Sequence, residues 1–246
     1  MSRFFVDAKN VGAKTIYLDD KDDIHHMMKV LRLNEGDEID ISDGSQWEYK
    51  AVIRKMDDCQ CEAEITDKQK FTREPEIKIT LFQGIPKQGK METIVQKSVE
   101  LGVWKIVPVF MDRTVVVDKG NFNKKIQRWQ KVSSEAVKQC RRGIIPEVCE
   151  AVMSKNITDN FSEFDLVLFP YENEEGQTIK DVLRLHSDKD IKSLAVIIGP
   201  EGGFSDDEAS RIVEAGGKSV SLGKTVLRTE TAGIAAVSMI MYELEL

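Results

Sequence analysis

The chain has 246 residues, 41% apolar and 31% charged, enough for one large domain or two small ones with real cores. Its apolar runs, such as 194–198, last a handful of residues, far short of the ~20 a membrane span needs. The first residues lack a signal-peptide core, so a cytoplasmic protein without a membrane partner is expected. The net charge of −7 argues against nucleic acid as a partner, but it is unevenly spread. Residues 1–70 carry −5, residues 71–150 carry +6 and residues 151–246 carry −8. Within the middle third, residues 119–142 hold eight basic side chains, Lys119 among them, against the single acid Glu135. Such a block serves either as a polyanion contact or as a solvated helix face.

In chain order, 3–6 and 15–18 predict short strands. A helix is expected over 22–31, with Ile24, Met27, Met28 and Leu31 at helical spacing. Residues 37–42 alternate acidic and apolar, Asp43-Gly44 signals a turn, and 47–53 return. Residues 59–65 alternate again, so this region predicts a compact barrel. A break near Thr72-Arg73-Glu74-Pro75 divides the chain into 1–72 and 73–246. Beyond it, strands are expected at 77–82, 104–110, 166–169, 194–198 and 219–222. Helices are expected at 90–101, 123–140, 178–185, 205–215 and 229–244. Ser205-x-x-Glu208 is a capping box and Gly216-Gly217 a stop. Alternating helices and continuous apolar strands predict an α/β domain with a mostly parallel sheet.

Several common chemistries drop out. Cys59, Cys61, Cys140 and Cys149 lack the usual zinc spacing and read as free thiols. His25 and His26 point about 100° apart on a helix, so no metal site is expected. Gly84-Ile-Pro-Lys-Gln-Gly89-Lys90 matches a phosphate-binding loop until Met91, whose thioether cannot replace the magnesium-binding hydroxyl. Gly223-Lys224-Thr225 lacks its leading glycine at the right distance. The esterase and dinucleotide signatures are absent. What remains is three loops, each following a strand: 169–172, 198–204 and 222–232. The excess glycine of the second and third suits close main-chain approach to a ligand at the carboxyl ends of strands.

Two of these loops carry a resemblance. Gly199-Pro200-Glu201-Gly202-Gly203-Phe204-Ser205 and Leu222-Gly223-x-x-Val226-Leu227-Arg228-Thr229-Glu230-Thr231-Ala232 resemble the signature of the small-subunit ribosomal RNA methyltransferase E family. His25-His26-x-x-x-Val30-Leu31-Arg32 resembles the family's N-terminal helix. Pro86-Lys87-x-x-Lys90-Met91 and Gln96-Lys97-x-x-Glu100-Leu101-Gly102-Val103 resemble its first α/β unit. Arg128-Trp129-x-Lys131 and Glu135-Ala136-x-x-Gln139-Cys140-x-Arg142 resemble its basic helix. Lys90 departs from the pattern, where an acidic–arginine pairing is expected.

The resemblance implies a PUA-like RNA-binding barrel over 1–72. It implies a SPOUT-type α/β domain over 73–246 with a deep C-terminal trefoil knot. It further implies S-adenosylmethionine as cofactor, a homodimer, and methylation of uridine N3 in small-subunit ribosomal RNA, either naked or in the assembled subunit. Another base, a transfer RNA, or a non-catalytic RNA-binding relative are the rival readings. Cofactor contacts are expected from Phe169, Pro170, Tyr171, Ile198, Gly199, Pro200, Gly203, Leu222, Gly223, Val226, Leu227 and Ala232. A sulfonium carries its own leaving group, so the protein must align donor and base and remove the N3 proton. Glu172, Glu201 and Glu230 are the candidate acceptors, each of which also fits an ordinary cap or salt bridge. Arg228 is placed to stabilise charge on the uracil carbonyls or to hold a phosphate. RNA contacts are expected from Arg3, His26, Arg32 and Lys87, then Lys124, Lys125 and Arg128.

Overall fold

The computed structural model describes residues 3–71, 73–118, 120–186 and 190–245. Lys119, at the start of the basic block, lies outside them. Contacts divide the chain into two units, Met1–Glu74 with Val137–Ile145, and Pro75–Ala136 with Pro146–Leu246.

In the first unit, alternation places Ile39 and Ile41 inside while Glu38 faces out. The strands are β1 (Arg3–Phe5), β2 (Thr15–Leu18), β3 (Glu38–Ser42), β4 (Trp47–Met56) and β5 (Cys61–Lys70). Their order is β1-β3-β4-β5-β2, with β1 parallel to β3 and the other pairs antiparallel. Phe4, Ile16, Met27, Tyr49 and Ile53 join the two isoleucines in the core. At the β3–β4 turn, the Asp43 carboxylate accepts the N–H groups of Ser45, Gln46 and Trp47, each at 2.9 Å. Burial opposes its charge, but these bonds outweigh it and hold Asp43 below the usual carboxylate range.

The helix expected over 22–31 has two parts. Helix α1 (Lys21–His25) is capped by Asp20, which accepts the Asp23 N–H at 2.9 Å. It continues as a π-helical turn, His26–Leu31, closed by Arg32 at φ 55°. The wider turn keeps Met27 fully buried and leaves Val30 exposed.

The first unit also departs from the 1–72 boundary. Its last segment is the end of the long basic helix and the loop after it. The Glu74 carboxylate accepts from Arg142 at 2.8 Å, from the Gly143 N–H at 2.6 Å and from the Ile144 N–H at 3.1 Å. Ser42 donates its hydroxyl to the Gly143 carbonyl at 2.6 Å. These bonds tie residues 137–145 to the five-stranded sheet unit, a tie no local pattern reveals.

In the second unit, continuous apolar runs form a sheet that is parallel throughout. Its strands are β6 (Lys78–Gly84), β7 (Lys105–Phe110), β8 (Glu147–Val148), β9 (Val152–Met153), β10 (Leu166–Pro170), β11 (Ser193–Ile198) and β12 (Lys218–Val220). The order is β12-β10-β11-β6-β7-β8, with β9 also beside β7. The helices are α2 (Lys90–Glu100), α3 (Phe122–Cys140), α4 (Ile179–Leu185), α5 (Asp206–Glu214) and α6 (Thr229–Leu244). Helix α6 packs on β6, β11, α2 and α4. Ala209 and Ile212 of α5, with Ile157 and Phe161 of a 3-10 segment (Ser154–Glu163), pack with Phe82, Val107, Phe169 and Ile197. Strands β8 and β9, at two residues each, are too short to show a period in the sequence.

The Arg142–Glu74 pair has side chains only 5% and 11% exposed. Glu74→Ala should therefore cost about 3–5 kcal/mol in the first unit, because it removes the carboxylate paired with a buried cation. Glu64→Ala, which breaks an Arg54 pair with side chains 46–55% exposed, should cost under about 1 kcal/mol. Hydrogen exchange of the barrel amides in the two variants measures the difference.

Candidate active site

Because the second sheet is parallel, β6, β10, β11 and β12 all end on one edge. There the three loops, two of them rich in glycine, converge on a cavity of about 920 Å³. That volume suits a cofactor-sized ligand. Of the residues expected to hold the cofactor, Pro170, Tyr171, Ile198, Gly199, Pro200, Gly203, Leu222, Gly223, Val226, Leu227 and Ala232 all line it. Phe169 does not. It is fully buried in the core, its ring 5.7 Å edge-on from Phe204, because β10 runs on to Pro170 before the loop begins. Glu172, Glu201 and Arg228 also line the cavity, and Glu230 stands behind Lys90.

The loops are held by bonds that the sequence reading missed. Gly84, at the end of β6, lies against the loop after β11. A Cβ there would fall 2.6 Å from the Pro200 nitrogen. Beneath this contact, the Thr229 hydroxyl donates to the Gly199 carbonyl at 2.6 Å. The Thr229 hydroxyl oxygen in turn accepts from Gln83 Nε2 at 2.9 Å, and Gln83 also donates to the Gly84 carbonyl at 3.0 Å. Gln83 is fully buried, and an amide side chain inside a largely apolar strand was the available signal. On the other side, Gly203 turns at φ +69°, a conformation that favours glycine. Arg113 donates to the Gly202 carbonyl at 2.8 Å. Ser205 caps α5 with Glu208 and donates its hydroxyl to Asp112 at 2.7 Å. The Asp112 N–H bonds Glu208 at 2.8 Å, so the β7 end braces the same loop.

The acids around the cavity differ in state. Lys90 Nζ lies 3.1 Å from Glu201 and 3.2 Å from Glu230. Burial opposes the charge of Glu201. Its own N–H, the Lys87 N–H at 3.0 Å and Lys90 outweigh that, so its pKa lies below the usual value. A carboxylate so held is a weak proton acceptor. Glu174 is also pulled down, first by the Ser219 hydroxyl and then by the Gly176 N–H. Glu172 is exposed and makes no ion pair among the described residues. The loop resembling a phosphate cradle does different work, since Lys90 meets two acids and Met91 is buried.

The expected RNA contacts also divide. Arg3 is buried, pairs with Glu48 and donates to the Arg141 carbonyl at 3.0 Å, so its charge is spent inside the barrel. His26 is half-buried, and Arg32 and Lys87 are exposed. On α3, Lys124 and Lys125 are exposed, with Lys125 5.2 Å from the Phe122 ring centre. Arg128 is exposed but pairs with Glu92 at 2.9 Å. All four cysteines are free, and burial pushes the Cys61 and Cys149 thiols up to about 11. Among the described residues no group of metal-ligating side chains converges, and no helix is long and apolar enough to cross a membrane.

The two units match distinct family models. Residues 73–241 match an RNA methyltransferase domain and residues 18–66 an RNA methyltransferase PUA domain. The class is thus an RNA methyltransferase with an N-terminal PUA domain. The chain is 30% identical to the ribosomal RNA small subunit methyltransferase E of Bacillus subtilis, across 100% of this chain and 98% of that protein. The crystal structure of a ribosomal RNA small subunit methyltransferase E from Neisseria gonorrhoeae, bound to S-adenosylmethionine, superposes with a TM-score of 0.86. It is 29% identical, over 99% of this chain and 98% of that one. A Legionella pneumophila methyltransferase solved with the same cofactor is 32% identical, with a TM-score of 0.84 over 98% and 97% of the two chains. This chain belongs to the ribosomal RNA small subunit methyltransferase E family.

Thr229→Val deletes a hydroxyl that both donates and accepts in the buried network. It should cost about 1–3 kcal/mol, because it leaves Gly199 and Gln83 groups unpaired. Thr229→Ser should keep most of that stability, and urea unfolding of the two variants makes the comparison.

Proposed function

We propose that this chain transfers a methyl group from S-adenosylmethionine to N3 of a specific uridine in small-subunit ribosomal RNA. The observation that carries the reading is the convergence of three loops, after β10, β11 and β12, on one cavity. Their residues fit the cofactor. Ile198, Leu222 and Leu227 offer apolar surface to an adenine. Main chain at Gly199, Gly203 and Gly223 lines the cavity without side-chain bulk, so a ligand can approach it closely. Glu172, Glu174, Glu175 and Glu201 give the wall a negative field suited to a cationic ligand. When bound, S-adenosylmethionine supplies an electrophilic methyl group on a positively charged sulfur.

The chain's own residues then have defined tasks. Arg228 precedes α6 at the cavity, exposed, where its guanidinium steadies negative charge developing on the uracil carbonyls. Glu172 takes the N3 proton, because Glu201 and Glu230 are engaged by Lys90. The barrel and the basic residues Lys87, Lys124 and Lys125 contact RNA, with His26 and Arg32 as further contacts.

The reading extends to architecture. The second unit is of the SPOUT type with a C-terminal trefoil knot, and the first is the RNA-binding domain. The active form is a homodimer in the cytoplasm. Met239, Tyr242 and Leu244 of α6 stand exposed, with Val226 on the cavity loop, and they are suited to a partner surface.

Radiolabelled methyl transfer onto ribosomal subunits from a strain lacking the enzyme tests the activity. Nucleoside mass spectrometry should find 3-methyluridine, whereas another modified base or no transfer would overturn the reading. Arg228→Ala should lower turnover by about 10²-fold or more and leave the fold intact. Neutralising Lys124, Lys125 and Lys131 should weaken RNA binding and reduce the salt slope by about 0.7 per lost phosphate contact. Binding measured from low to high salt gives that slope directly.

A further inference from the structure

We propose that Lys90, Glu201 and Glu230 form a charge lock, in which Lys90 is a positioning residue that holds two walls of the cavity in register. The proposal rests on the reading of that cavity as the cofactor site. Lys90 is the first residue of α2, Glu201 stands in the loop after β11, and Glu230 lies in the first turn of α6. One ammonium thus reaches two elements that are distant in sequence, at 3.1 Å and 3.2 Å. The loop before α2 adds a second hold on the same acid, because the Lys87 N–H donates to Glu201 at 3.0 Å.

The geometry explains why a cation is needed there. Two carboxylates that both meet one nitrogen stand within about 6 Å of each other. Without the cation, their repulsion would favour protonating one of them or parting the loops. The lock also removes both acids from proton transfer. Its net charge of one negative unit still suits a cationic ligand.

The ionisation of the group agrees with this geometry. Glu201 first, then Glu230, raises the Lys90 pKa above its ordinary 10.5. Glu201 itself is lowered from 4.5. The Glu201 contribution is therefore complete above 4.5 and lost as pH falls through its lower folded value. The Lys90 contribution is complete below 10.5 and lost as pH rises through its higher folded value. Between these limits the Lys90–Glu201 pair stays ionised.

The test compares the full-length wild type with Lys90→Met, Lys90→Arg and Glu230→Gln. Three quantities are read: the titration of the Glu201 carboxyl by carbon NMR, the KM for S-adenosylmethionine, and kcat. Lys90→Met should move the Glu201 titration upward. It should raise KM by about tenfold while kcat changes much less, since the lost interaction positions rather than reacts. Lys90→Arg should restore both. Glu230→Gln should move the Glu201 titration further down, because a neighbouring negative charge is gone, and it reports on the lock even if Lys90→Met does not fold. An unmoved Glu201 titration in Glu230→Gln overturns the lock. So does a fall in kcat with KM unchanged in Lys90→Met, which would place Lys90 at the reacting atoms. If the wild type binds no cofactor, the cavity reading fails, while the Glu201 titrations still decide the lock.

Discussion

The hydroxyl of Thr229 is the smallest group on which the site depends. It accepts from Gln83 on β6 and donates to the Gly199 carbonyl after β11, while its own backbone opens α6. Three elements that arrive from separate parts of the sequence are thereby fixed at one point. With the Gly199 carbonyl engaged below, the main chain of this loop is set rigidly at the cavity wall. Gly84 permits the approach, since any side chain there would meet the Pro200 backbone. The apolar strands and the paired helices build the platform, and this buried polar contact gives it a defined surface.

Charge works at a longer range than this contact. The cavity carries carboxylates, whereas α3 carries exposed lysines. One polarity favours a cationic cofactor and the other a polyanionic substrate, so the acidic average conceals two opposite preferences. Several of the basic groups are not available to a partner. Arg3 and Arg142 are buried against Glu48 and Glu74, and Arg128 leans on Glu92. The basic block is therefore partly scaffold and partly contact surface.

Much of this was legible in the sequence, for identifiable reasons. The last helix was read with its observed ends, and α5 was marked by a capping box and a glycine stop. Two of the three cavity loops stood out through glycines in excess of turn needs. What escaped was long-range or too short. Arg3 looked like a surface cation because Glu48, its partner, lies 45 residues away and on another strand. Phe169 looked like a loop residue because a strand's last residue cannot be told from the loop's first. The π-helical turn kept the hydrophobic spacing of an ordinary helix, so periodicity did not separate them. Glu201 and Glu230 could not be assigned between base and salt bridge because Lys90 becomes their neighbour only in three dimensions.

The pairing of Glu74 with Arg142 makes the first unit discontinuous, and that bears on the order in which the protein assembles. Ser42 finds its Gly143 partner 101 residues later. During synthesis the barrel strands emerge first, but their closing segment ends at Ile145. At about 5–20 residues per second, the barrel waits roughly 4–14 s after Glu74 for that segment. Throughout that interval a carboxylate and a serine hydroxyl remain solvated rather than paired. The N-terminal unit is thus begun first but cannot close until the opening stretch of the methyltransferase domain, residues 75–136, has been made.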